Sequence, residues 1–121
     1  MKGKIFVIED DQPILDLMEL LIKKLGYEPV LVSHAAESLE MIQQEPPSLI
    51  LLDIMMAPMN GWELLAWLRK DKTTRDIPVI LFTAAPSVKE NIAQMDDPHL
   101  GMLQKPVSFT QLKAEIERFL L

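Results

Sequence analysis

The sequence predicts an α/β fold of five strand–helix repeats, (βα)5, with a doubly wound parallel sheet. Two observations carry this. Short apolar runs alternate with amphipathic stretches along the chain, and five strand–helix repeats of roughly 20–25 residues imply βαβ units and a parallel sheet. Right-handed crossovers then place helices on both faces of the sheet. The 121 residues read as one domain, 1–121, since domains commonly run to about 100–200 residues.

Residues 5–8, Ile-Phe-Val-Ile, form a continuous apolar run rich in β-branched residues, as expected of a strand buried on both faces. Ile14, Met18, Leu21, Ile22 and Leu25 then recur at helical spacing. Pro13 suits the first turn, where its missing N–H costs nothing, and Gly26 supplies the left-handed residue that ends the helix. A second strand over 30–32 leads to a helix over Ala35–Gln44, closed by Pro46 and Pro47. Residues 49–52 are the third strand, and Gly61–Lys70 is a helix that turns Leu64, Leu65 and Leu68 inward. A fourth strand covers 79–82 and a weaker helix 87–95. Met102 and Leu103 lie in a short fifth strand. Ser108 caps a last helix whose inner face is Leu112, Ile116, Phe119 and Leu120.

Composition excludes several chemistries. The chain has no cysteine, so disulfide scaffolds, thiolate metal sites and cysteine nucleophiles are out. Its two histidines, His34 and His99, cannot build a three-histidine zinc site. A net charge of −6 repels phosphate backbones, which argues against direct nucleic-acid binding. No apolar run approaches the ~20 residues of a membrane span, and no secretory signal is visible, so a cytoplasmic location is expected.

In open α/β sheets, ligands bind beyond the carboxyl ends of the strands. Those positions here hold Glu9, Asp10 and Asp11, then Asp53, then Thr83 and Ala84, then Lys105 and Pro106. Carboxylates gathered in one place repel each other unless a cation joins them, and an all-oxygen set suits Mg²⁺. A lysine and a hydroxyl beside them suit phosphoryl oxygens. An aspartate can itself be the nucleophile.

These motifs, in this order, resemble the receiver domain of two-component response regulators over essentially the whole chain. The resemblance rests on strand-Glu9-Asp10-Asp11, Leu-Leu-Asp53-Ile-Met-Met, Gly61 eight residues further on, Thr83-Ala84 and Lys105-Pro106. It implies strand order 2-1-3-4-5 in a flavodoxin-like three-layer sandwich. It implies Asp53 as phosphoacceptor, with Glu9, Asp10, Asp53 and the Met55 carbonyl around Mg²⁺. Thr83, the Ala84 backbone and Lys105 would bind the phosphoryl group, Thr83 and Met102 would switch, and Gly61 and Pro106 would be structural, with Lys105-Pro106 cis. The implied donor is a histidine kinase or phosphotransfer protein, read out by an unknown downstream protein, with no membrane partner and a monomer or weak dimer. No enzyme activity is expected beyond Mg²⁺-dependent self-phosphorylation and slow self-dephosphorylation.

Some positions depart from the family pattern. Proline stands at Pro58, where the family usually places it at Ala57. Met102 replaces an aromatic switch residue. Asp96-Asp97-Pro98-His99-Leu100 replaces a small-residue pair, so the preceding helix should end early, and that helix and its neighbouring loop should be mobile or unusually placed. Leu100 and Gly101 stand where DNA-binding relatives carry dimer-forming acids. Met55 and Ala85, two residues past Asp53 and Thr83, offer no side-chain hydrogen bond to a hydrolytic water, so slow dephosphorylation is expected. Met55, Met56 and Met59 could form an adaptable contact surface. If Leu121 is the natural end, output is a protein contact. Two other readings are a degenerate receiver that binds partners without phosphorylation, and an enzyme on the same fold. Against the last, a phosphohydrolase would want an acid at Met55, and a flavin site would not place three acids after the first strand.

Overall fold

The computed structural model describes residues 2–55, 60–84 and 87–121. Alternating elements run β1 (Lys4–Ile8), α1 (Gln12–Lys24), β2 (Glu28–Val32), α2 (Ala35–Gln44), β3 (Leu49–Asp53), α3 (Gly61–Lys70), β4 (Val79–Thr83), α4 (Val88–Met95), β5 (Leu100–Gln104) and α5 (Phe109–Leu120). The five strands form one parallel sheet, as expected from the repeat, in the order β2-β1-β3-β4-β5 that the resemblance implies.

The continuous apolar runs are explained by cover on both faces. Successive strand residues point to opposite sides, so Ile5 and Val7 join one cluster while Phe6 and Ile8 join another. The first cluster takes Leu15, Met18 and Ile22 from α1 and Leu112 and Ile116 from α5. The second takes Ile42 from α2, Leu64, Leu65 and Leu68 from α3, and Val88 from α4. The central strands β3 and β4 are buried along their whole length.

Local signals behave as their chemistry requires. Asp11 is the N-cap of α1 without a side-chain cap bond, and Pro13 lies in the first turn. Gly26 follows α1 at φ 92°, a left-handed conformation that glycine adopts without strain. Ser108 and Gln111 form a reciprocal capping box at α5.

Differences from the sequence reading lie at element ends. β2 begins at Glu28 because Glu28 and Pro29 pair with Lys4 and Ile5. β5 extends over Leu100–Gln104 because each residue has a partner in β4. Asp53 and Thr83 are the last residues of their strands, not the residues after them; Asp53 pairs with Phe82, and Thr83 with Gln104. The loop after α4 is anchored by side-chain hydrogen bonds. Arg69 Nε donates to Asp97 Oδ2 at 2.8 Å, and its other nitrogens reach the carbonyls of Ile77 (3.0 Å) and His99 (3.1 Å). The helix itself ends at Met95, three residues before Pro98, with Asp96 left-handed at φ 50°.

Candidate functional site

The carboxyl ends of β1, β3, β4 and β5 meet at one edge of the sheet. Glu9, Asp53 and Thr83 are 1%, 3% and 1% exposed, while Asp10 beside them is open to solvent. Carboxylate oxygens of Glu9, Asp10 and Asp53 all lie within 4.8 Å of one another. Lys105 closes the group, with Nζ 3.3 Å from Glu9 Oε2 and 3.5 Å from Asp53 Oδ2.

Neighbouring backbone fixes these side chains. The Glu9 N–H donates to the Val32 carbonyl at 3.1 Å, and Glu9 Oε1 accepts from the Asp11 N–H at 3.2 Å. Asp53 Oδ1 accepts from the Met55 N–H at 3.1 Å. The Lys105 N–H donates to the Thr83 carbonyl at 2.8 Å, which ties β5 to β4 at the site, and Lys105-Pro106 is cis. Gly61 is a glycine for steric reasons. A Cβ there would sit 2.7 Å from both the Asp53 carbonyl oxygen and Ile54 Cα, and the Gly61 N–H donates to the Ile54 carbonyl at 2.8 Å. The start of α3 thus presses directly on the backbone that carries Asp53.

The electrostatics are those of an under-neutralised acid pocket. Burial is the main cause that pushes the Glu9 carboxyl up to about 7, and Asp53 alongside adds to it; Lys105 opposes the shift. Two buried carboxylates and a third nearby exceed the charge that one lysine can balance. The donor set is all oxygen, and a small hard divalent cation fits it.

Sequence reasoning brought Glu9, Asp10, Asp53, Thr83 and Lys105 to one place, and the structure gathers them there. Met55 contributes its N–H to Asp53, and its side chain is 74% exposed. Ala84 is exposed and borders a groove that also touches Lys105 and Pro106. Met102 is half-buried and packs with the α2–α4 cluster, on the opposite face of the sheet from Leu103. His34 and His99 lie outside the site; the His99 ring is 3.9 Å from Asp76. Of the two tryptophans, Trp62 packs against the core and Trp67 is 40% exposed. The readings placed on Met56, Ala57, Pro58, Met59 and Ala85 lie outside the described residues. Sequence reasoning missed Phe82, whose ring lies 5.0 Å from Lys105 Nζ. It also missed Arg69, whose three partners lie 8, 28 and 30 residues further along the chain.

A family model described as response regulator receiver domain matches residues 5–117. Response regulator MprA of Mycobacterium ulcerans is 32% identical over 120 residues, covering 99% of this chain and 51% of that protein. The N-terminal domain of a response regulator receiver protein from Methanoculleus marisnigri is 37% identical, with a TM-score of 0.79 over 98% of this chain and 96% of that one. The chemotaxis protein CheY4 of Vibrio cholerae, at 22% identity, shares the fold with a TM-score of 0.88 over 98% of each chain. The chain spans about half the length of the curated relatives it matches.

Proposed function

The chain belongs to the response regulator receiver domain family, and from that premise we propose that it is a phosphoacceptor of a two-component relay, charged on Asp53. The observation that carries this reading is the juxtaposition of Asp53 with Glu9, Asp10 and Lys105. A carboxylate held among acids and a lysine is equipped to attack an electrophilic phosphorus.

In the transfer, an Asp53 carboxylate oxygen forms a bond to the phosphorus of a phosphohistidine donor. The P–N bond breaks, and the imidazole leaves with its electron pair and takes up a proton. Glu9, Asp10 and Asp53 would hold Mg²⁺, with the Met55 carbonyl as a further ligand; when bound, the ion neutralises charge on the phosphoryl oxygens. Lys105 would balance that charge as well. The Met55 N–H orients the Asp53 carboxylate. The Thr83 hydroxyl and the Ala84 N–H would donate to the transferred group. Thr83 and Met102 are the switch, two residues on β4 and β5, neighbouring strands of one sheet. A change at Asp53 shifts their balance between two packings, which a downstream protein reads. The donor is a histidine kinase or phosphotransfer protein. The only chemistry proposed for the chain is its own phosphorylation and a slow loss of the group.

Intact mass after incubation with Mg²⁺ and acetyl phosphate tests this. One added phosphoryl group, absent in Asp53→Asn, is the expected result. No gain, even with beryllofluoride as a stable mimic, overturns it in favour of a phosphorylation-independent interaction module.

A further inference from the structure

We propose that Phe82 is a positioning residue for Lys105, and that its ring helps aim the ammonium at a phosphoryl group on Asp53. The inference rests on the phosphoacceptor reading and extends it to a residue that the acid–lysine pattern does not contain.

Lys105 Nζ lies 5.0 Å from the centroid of the Phe82 ring, inside the range over which the negative ring face attracts a cation. The ring is fully buried and packs in the core cluster with Ile5, Val7, Leu51 and Leu103. It is therefore a fixed object, whereas a lysine stem has four carbons to order. Phe82 is the register partner of Asp53 on the neighbouring strand, so ring and nucleophile sit on the same rung of the sheet. The next residue, Thr83, accepts the Lys105 backbone N–H at 2.8 Å. One strand end thus holds both ends of the lysine, the main chain by a carbonyl and the ammonium by a ring.

The surroundings make this ring matter. On its open side Lys105 borders a groove of about 380 Å³ whose wall includes Ile14, Leu17, Met18, Phe82 and Val107. Those side chains offer no anion, so the ammonium is divided among Glu9, Asp53 and the ring. When Asp53 accepts a phosphoryl group, the carboxylate oxygen that attacks becomes the bridging oxygen of an acyl phosphate, and the negative charge moves out to the phosphoryl oxygens. The pull of Asp53 on Lys105 then changes in mid-reaction, while the attraction of the ring does not. A lysine held by an unchanging partner keeps its aim through the transfer.

The test is phosphorylation by acetyl phosphate at saturating Mg²⁺, in the whole chain. The variants are Phe82→Leu, Phe82→Met and ring-fluorinated phenylalanines introduced at position 82. Fluorination withdraws charge from the ring face and nearly preserves its shape, so packing alone does not respond to it. The expected result is a rate about fivefold lower in Phe82→Leu and a stepwise fall with each added fluorine. Mg²⁺ affinity stays unchanged. In proton NMR the ε-CH₂ protons of Lys105 are expected to be shifted upfield by the ring current in the wild type, and Phe82→Leu to remove that shift. If the aliphatic variants fail to fold, the fluorinated series decides. A wild-type rate throughout that series, or Lys105 protons without a ring-current shift in the wild type, overturns the inference alone. A wild type that takes up no phosphoryl group overturns the proposed function and this inference together.

Discussion

Glu9 shows how a single buried carboxyl links site and stability. Its ordinary pKa of 4.5 rises to about 7 in the folded chain, chiefly through burial and then through Asp53. Between those values the folded state holds a proton that the unfolded state has released, so this contribution weakens as pH rises. It is complete below about pH 4.5 and gone above about pH 7. Without Mg²⁺, Tm is therefore expected to fall between pH 5 and pH 8 more steeply in the wild type than in Glu9→Gln, as thermal melts across that range would show. Gly61 carries a different residue-scale prediction. Its missing Cβ is what lets α3 approach the Asp53 carbonyl. Gly61→Ala is expected to lower stability by about 1–3 kcal/mol, the usual cost of overpacking, and to slow phosphorylation of the displaced Asp53. Urea midpoints and rates with acetyl phosphate check the two parts. The need for a glycine eight residues past Asp53 was legible as a motif. Its reason, a contact with main-chain atoms of Asp53 and Ile54, was not.

Among the helices, α4 buries the fewest side chains. Val88 is its buried side chain, with Ile92 packed partly against the core, whereas α3 buries Leu64, Leu65 and Leu68. What secures this part of the molecule is Arg69 at the end of α3, which ties Asp97 and two carbonyls before β4 and β5. Burial raises the Asp97 carboxyl, but the Arg69 guanidinium and the His99 N–H more than offset this and leave it below the usual range. Removing the guanidinium leaves the Asp97 carboxylate with the His99 N–H alone and takes a donor from two carbonyls, of which that of His99 keeps the Val79 N–H. Arg69→Ala is expected to cost on the order of 2–3 kcal/mol, measured by denaturant unfolding. It should also speed hydrogen exchange in the loop before β5 more than in α1. Periodicity made the helices and strands legible, down to Ser108 as a cap. It could not show that the acidic segment at 96–99 is anchored, because the partner of Asp97 lies 28 residues away.

For the whole molecule, folding imposes a cost at the sheet edge. Two apolar layers press the strands together, and the strand ends bring carboxylates of Glu9, Asp10 and Asp53 within 4.8 Å. A divalent cation that joins them binds the folded chain only. Mg²⁺ at 100-fold over its Kd is expected to add about 2.7 kcal/mol, a rise in Tm on the order of 10 °C. The paired change Glu9→Gln and Asp10→Asn should abolish that rise in a thermal melt. The sequence by itself determined the winding of the sheet, since five buried apolar runs joined by amphipathic helices admit few other arrangements. It also determined which residues stand at the strand ends, because that follows from local pattern. Tertiary structure alone decided how they act on each other. The division of Lys105 among two carboxylates and the Phe82 ring, the close approach at Gly61 and the anchoring of Asp97 by Arg69 all depend on side chains that meet only across strands and layers. No local periodicity encodes such distances, for they are set by how the two packed faces of the sheet settle against one another.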